Sequence, residues 1–156
     1  MIRPVRADET PALVEMAQGT GVFKPHEIQA LREVLDDFHA GVNVNGHRAV
    51  VAEEDSQVLG FAYFAPAAMT DRTWSLWWIA VNKQVQARGL GAKLLRYVED
   101  EAKAADCRIL LIETSSLPHY DPTRRFYLKH GYEEHAFLRD YYSDGDDMVI
   151  YRKRLG

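Results

Sequence analysis

The stretch Trp77 to Glu99, WWIAVNKQVQARGLGAKLLRYVE, decides the fold. Trp77 to Val81 is apolar and β-prone, and a short polar segment separates it from Arg88-Gly89-Leu90-Gly91-Ala92. Leu90, Leu94, Val98 and Ala102 then recur four apart, the spacing of one buried helix face. The order is strand, glycine turn, helix. A helix opening on glycines presents unpaired backbone N–H groups and a positive dipole end, and the absence of a Cβ at Gly89 and Gly91 admits an anion close to the chain. Phosphate is the natural ligand of such a turn.

Spacing separates the phosphate schemes. A P-loop needs four residues between its glycines and Lys-Ser or Lys-Thr after them, whereas here one residue intervenes and Ala92-Lys93 follows. A dinucleotide turn needs a third glycine where Leu94 stands, and Asn82 to Arg88 make the connection too long for it. The residues alone leave two readings open, an anion-holding turn and a glycine-opened helix without a ligand.

Outward from this stretch, Arg108 to Thr114, RILLIET, reads as a parallel strand covered on both faces and reached by a right-handed crossover. Thr73 to Val81 carries three tryptophans and reads as a central, buried strand, aromatic on both faces. Arg48 to Glu53 and Val58 to Phe64 are β-rich, joined by a polar hairpin connection, with Pro66 disturbing the second. Ile2 to Arg6 is a first strand, and Asp8 is the expected cap of a helix running to about Gln18 with Pro11 in its first turn. Ile28, Leu31, Leu35 and Phe38 mark a second helix stopped near Gly41. Thr123 to His130 is a short helix stopped at Gly131, and Glu133 to Tyr142 and Met148 to Arg154 flank the turn Ser143 to Asp146.

The composition sets bounds. A chain of 156 residues, 47% of them hydrophobic, is expected to form one domain over 1–156 with a sizeable core. The net charge of −4, from 23 acidic and 19 basic residues, gives no general electrostatic reason to bind nucleic acid. One cysteine, Cys107, excludes an internal disulfide, and there is no Cys/His spacing that signals a metal site. Met1 to Glu9 lacks the apolar core of a signal peptide and no apolar run approaches membrane-spanning length, so the expectation is a cytoplasmic protein with no membrane partner.

A second motif gives the glycine turn a family. Gln86-x-x-Gly89-x-Gly91 after a strand ending Ile79-Ala80-Val81 resembles the pyrophosphate arm of the GNAT superfamily of acyl-CoA-dependent N-acyltransferases. That family also carries a helix reading roughly Asn-x-x-Ala-x-x-Phe-Tyr, followed by a glycine and an aromatic. Phe126-Tyr127-Leu128-Lys129-His130-Gly131-Tyr132 matches its second half, while Tyr120 and Thr123 replace the Asn and the Ala. The missing Asn removes one side-chain contact to the cofactor. Together the motifs and element order cover most of residues 45–155.

The resemblance implies a mixed α/β (α+β) GNAT fold: a central, mostly antiparallel twisted sheet of six to seven strands flanked by helices. The sheet is splayed where Thr73 to Val81 and Arg108 to Thr114 run parallel. It implies acetyl-CoA as cosubstrate, with CoA as product and no metal. Backbone groups at Ile79, Ala80 and Val81 receive the pantetheine arm, and the amides of Arg88, Gly89, Leu90, Gly91 and Ala92 hold the pyrophosphate, with Gln86 and Arg88 adding side chains. Arg124 and Arg125 are candidates for the adenosine 3′-phosphate. Tyr127 falls at the position of the proton donor to the departing thiolate, and its ordinary pKa near ~10 leaves it protonated at neutrality. Glu113 is a candidate base whose burial would raise its pKa. Phe23, in the break between the first two helices, is an acceptor-pocket candidate alongside packing as the simpler reading. Tyr141, Tyr142 and Asp147 resemble the closing hairpin of protein N-terminal acetyltransferases. The implied acceptor is a small amine or a peptide N-terminus, and the pattern is compatible with a homodimer. A non-catalytic acyl-CoA-binding module and a partner-binding domain without CoA are the alternatives from other classes.

Overall fold

The structure, a computed structural model, describes residues 1–42 and 44–156, with Ala87 through its backbone alone. One mixed sheet of seven strands is flanked by four helices among the described residues. In chain order these are β1 (Ile2–Pro4), α1 (Thr10–Gly19), α2 (Pro25–Ala40), β2 (Arg48–Glu54), β3 (Gln57–Pro66), β4 (Thr73–Val81), α3 (Leu90–Ala104), β5 (Ile109–Ser115), α4 (Asp121–Lys129), β6 (Glu133–Ser143) and β7 (Asp146–Arg154). The strands lie in the order β1-β2-β3-β4-β5-β7-β6. Strands β4 and β5 run parallel, in register from Thr73↔Ile109 to Leu76↔Ile112, and both continue beyond those residues. By contacts the chain divides into two compact units, Met1–Ala65 with Trp78–Val98 and Pro66–Trp77 with Glu99–Gly156.

In the first unit, Leu13, Val14 and Ala17 of α1 and Leu31 and Leu35 of α2 share a core with Val51, Phe61, Tyr63 and Ala80. Each leucine or valine among them contributes roughly 1.5–3 kcal/mol on burial. Asp8 is not the cap expected of it. It lies inside a 3-10 turn over Ala7–Glu9, and the Glu9 carboxylate instead accepts from the Arg6 N–H at 2.7 Å and from Arg3 at 2.7 Å. Helix α2 ends at Gly41, whose φ of 74° supplies the left-handed cap. Asp55 and Ser56, at φ 49° and 64°, make the tight β2–β3 turn. Pro66 closes β3 rather than interrupting it.

Two expectations about burial are corrected. Trp74 is buried but Trp77 is 46% exposed, so β4 is central in the sheet without being covered on both faces. On β5, Leu110 and Ile112 are buried while Leu111 is half-buried and Glu113 exposed, so its cover is one-sided along part of its length. In the second unit Cys107, 2% exposed, donates its thiol hydrogen to the Ile109 carbonyl at 3.2 Å. Burial pushes its pKa up.

Candidate functional site

The first unit carries the glycine turn. The Asn82 N–H donates to the Leu59 carbonyl at 2.8 Å, tying the end of β4 to β3, and the Asn82 side-chain oxygen accepts from the Gln84 N–H at 2.9 Å. That cap starts a 3-10 turn over Lys83–Arg88, which the sequence reading left as a polar connection. Gln86 Nε2 reaches back to the Val81 carbonyl at 3.3 Å, folding the turn over the strand end. Gly89 then takes φ 75°, the left-handed conformation that lets the chain turn into α3. A Cβ built on Gly89 meets nothing within 4 Å.

The first bond of α3 runs from the Lys93 N–H to the Gly89 carbonyl at 3.2 Å. Helix geometry therefore leaves the N–H groups of Leu90, Gly91 and Ala92 with no carbonyl one turn earlier in the helix. Leu90 is buried and anchors the turn from below. Ala80 and Val81 are buried and Ile79 half-buried. Arg88 is exposed and paired with Glu54 at 2.6 Å, and that guanidinium holds the Glu54 carboxyl below its ordinary range. Phe23 packs its ring on Trp78, with centroids 5.2 Å apart, and lines a cleft of about 300 Å³ with Gln18, Pro25, Ile28, Gln29 and Arg32.

The second unit carries the tyrosine. Tyr127 on α4 is 4% exposed, with the rings of Tyr151 and Tyr132 at 5.7 and 6.1 Å. Burial, and after it the neighbouring Tyr151, push its pKa up, so the phenol stays protonated throughout the physiological range. The Tyr132 hydroxyl donates to Glu99 at 2.7 Å, and Lys153 Nζ donates to the same carboxylate at 3.0 Å and to the His130 carbonyl at 2.9 Å. This network fixes the end of α4 around Tyr127. The Tyr151 hydroxyl is buried with no hydrogen-bond partner among the described residues.

Other candidates in this unit are placed less simply. Glu113 is exposed, not buried as expected. Arg124 donates to the carbonyls of Ser115 and Leu117 at 2.6 and 3.0 Å, which commits its guanidinium to holding the loop after β5. Arg125 is exposed, 3.2 Å from Asp121. The Asp147 carboxylate accepts from the Asp140 N–H at 2.9 Å, and its own N–H donates to Ser116 Oγ at 2.8 Å.

Those bonds shape the hairpin. Leu138 opposes Met148 and Ser143 opposes Asp146, so Arg139–Tyr142 bulge out across Asp147. Asp140 sits at φ 55° and its carboxylate accepts from the Gly145 N–H at 2.8 Å. Tyr141 and Tyr142 project as an edge-on pair, 57% and 41% exposed. Ser115 and Asp146, both buried, share a short hydrogen bond that latches β5 to β7. The sequence reading missed Tyr151, Asp140 and this latch. Tyr151 and Asp140 lie inside strand patterns, and Asp146 reads as an ordinary turn residue.

Comparison with known proteins places this arrangement. The sequence model described as an acetyltransferase (GNAT) domain matches residues 45–134. The chain is 34% identical to a Desulfovibrio desulfuricans protein assigned to the GNAT family, whose crystal structure superposes with a TM-score of 0.94 over 100% of this chain and 99% of that one. An aminoglycoside 6′-N-acetyltransferase solved with coenzyme A superposes with a TM-score of 0.80 at 16% identity, covering 100% of this chain and 97% of that one. An uncharacterised N-acetyltransferase of Methanocaldococcus jannaschii is 30% identical over 105 residues, 67% of this chain and 64% of that relative's length. The match thus spans somewhat under two thirds of that relative.

Proposed function

The chain belongs to the GNAT acetyltransferase family, and on that footing we propose that it transfers the acetyl group of acetyl-CoA directly to a primary amine, on a small molecule or a peptide N-terminus. The observation that carries the cofactor is the start of α3. The N–H groups of Leu90, Gly91 and Ala92 belong to the first turn after the left-handed Gly89, at the positive end of a fifteen-residue helix. The open space at Gly89 suits a pyrophosphate drawn close to the backbone. The coenzyme A held by the aminoglycoside acetyltransferase of the same fold supports the same choice.

Acetyl-CoA supplies an acyl group activated as a thioester. The backbone of Ile79–Val81 receives the pantetheine arm in the manner of an added strand. Gln86 steadies the turn through Val81, and Arg88 reaches the phosphates by leaving Glu54. For the adenosine 3′-phosphate, Arg125 is the better candidate, since Arg124 is committed to two carbonyls.

Tyr127 gives its proton to the departing thiolate. Its burial secures the protonated form, and the network of Tyr132, Glu99 and Lys153 holds its helix in place. The acceptor must arrive as a neutral amine. Glu113, exposed on β5, takes that amine's proton directly or through water. Phe23, Tyr141 and Tyr142 supply apolar acceptor contacts, while Asp147 serves by holding the bulge that displays the two tyrosines.

The test is CoA release against a panel of amines, with Tyr127→Phe as the diagnostic variant. It keeps the ring and removes the transferable proton. Single-turnover rates are expected to fall about 10²–10⁴-fold with CoA affinity little changed. A phenylalanine variant with the wild-type single-turnover rate removes Tyr127 from the chemistry. CoA binding without turnover on any amine replaces the enzyme reading with an acyl-CoA-binding module.

A further inference from the structure

The cleft in the first unit has an uneven lining. Phe23, Pro25 and Ile28 are apolar, Gln18 and Gln29 are neutral amides, and Arg32 is the one charged side chain among them. Arg32 is also the one lysine or arginine in α1 and α2 together. It is exposed, with no hydrogen-bond or ion-pair partner among the described residues. Glu33 accepts from Gln29 Nε2 at 3.2 Å but lies outside the lining, so no described carboxylate lines the cleft.

Strand β4 fixes one end of the cleft. Phe23 packs on Trp78, and Trp78 and Ala80, two apart on the strand, both pack against the core that α1 and α2 share. A ligand lying on Phe23 is thus beside the backbone of Ile79–Val81, the stretch proposed to receive the pantetheine arm. From there the lining follows α2, and Pro25 to Arg32 covers about 10 Å of helix axis.

We infer that this cleft selects the acceptor, and that the acceptor is an amino-carboxylate: a primary amine at one end of an apolar body and a carboxylate, held by Arg32, at the other. The inference rests on the acetyltransferase reading and names the substrate class within it. A guanidinium meets a carboxylate through two parallel hydrogen bonds, while Phe23, Pro25 and Ile28 cover the body between the ends. A second positive charge on the acceptor would stand against Arg32 with no acid to meet it, which selects against polyamines. The length of the lining sets amine and carboxylate several carbon atoms apart. An α-amino acid, with both groups on one carbon, does not span it.

Three acceptors that differ only at the far end test this: para-(aminopropyl)benzoate, phenylpropylamine, and the para-trimethylammonium analogue. The wild type should acetylate the benzoate with a kcat/KM about tenfold above that of phenylpropylamine, the difference lying in KM, and should use the cationic analogue least. Arg32→Gln should bring the three within about twofold of one another, Arg32→Lys should keep the benzoate ahead, and Arg32→Glu should invert the order. Binding is read apart from turnover with para-propylbenzoate, which has no amine, titrated calorimetrically into the protein with CoA present. It should bind the wild type and bind Arg32→Gln about tenfold more weakly. A wild type that does not prefer the benzoate, variants that keep the wild-type order, or a propylbenzoate affinity indifferent to Arg32 each overturn the inference. Propylbenzoate held through Arg32 without turnover of any amine removes the acetyltransferase reading and supports the carboxylate site.

Discussion

Tyr132 and Tyr151 flank Tyr127 in one aromatic cluster, yet only Tyr132 has a partner for its hydroxyl among the described residues. A buried polar group without a partner costs roughly 1–3 kcal/mol in desolvation. Tyr151→Phe deletes that cost while keeping the ring, so chemical denaturation should find it as stable as the wild type or up to about 1 kcal/mol more stable. Tyr132→Phe strips Glu99 of a donor and should lose about 1 kcal/mol in the same measurement. A second residue-scale effect concerns pH. His47 Nδ1 lies 2.6 Å from the Tyr63 hydroxyl; burial lowers the imidazole from its ordinary 6.5 and, together with Asp37, pushes the phenol up to about 12. The unfolded chain takes up the His47 proton first as pH falls, so this stability is complete above 6.5 and lost as pH drops through the lowered folded value. Glu9 and Glu53, held below 4.5 by Arg3, extend the loss at lower pH by the same sign. The urea midpoint should therefore be flat from neutrality down to about 6.5 and then fall, with His47→Gln removing only the upper part of the fall.

Among the elements, α3 shows what periodicity can reveal. Leu90, Leu94, Val98 and Ala102, picked out by fourfold spacing, are all buried, because a helix facing a sheet must repeat its apolar residues that way. The 3-10 turn before it was not legible, since it rests on one Asn82 side-chain bond and has no pattern of its own. The bulge at Arg139–Tyr142 was hidden for a related reason: the sequence reads as continuous strand, and the carboxylate that captures Asp140 comes from the opposite strand. Gly60 on β3 also escaped notice. A Cβ there stands 2.8 Å from Leu94 Cδ1 and 3.1 Å from the Ala80 carbonyl, so α3 packs where only glycine fits. Gly60→Ala should cost about 1–3 kcal/mol, read as a lowered Tm. At Gly89 the space is open and the backbone is the constraint. Gly89→Val forces a β-branched residue into the left-handed region, whereas Gly89→Asn tolerates it. Titration calorimetry should find CoA binding weakened at least about tenfold in the valine variant, and unchanged affinity there would remove the pyrophosphate from this turn.

At the scale of the molecule, the sequence was read as one domain, while contacts resolve two compact units. The chain passes between them at Ala65–Pro66 at the end of β3, at Trp77–Trp78 inside β4 and at Val98–Glu99 inside α3, within regular elements and not in linkers. We propose that the chain unfolds as a single domain, so tryptophan fluorescence and far-ultraviolet circular dichroism should give coincident melting curves. The family and the succession of elements along the chain were legible because both follow from local patterns and two short motifs. The roles of Glu113 and Arg124 were not, because exposure and carbonyl contacts depend on neighbours distant in sequence. Acetyl transfer would liberate a thiol, the quantity a colorimetric thiol reagent counts, and a protein with accessible cysteines contributes its own colour. Cys107, the chain's one cysteine, is covered and holds its proton tightly, so the native protein should give a near-zero blank. Colour developing slowly without substrate would then time the opening of the segment around Cys107.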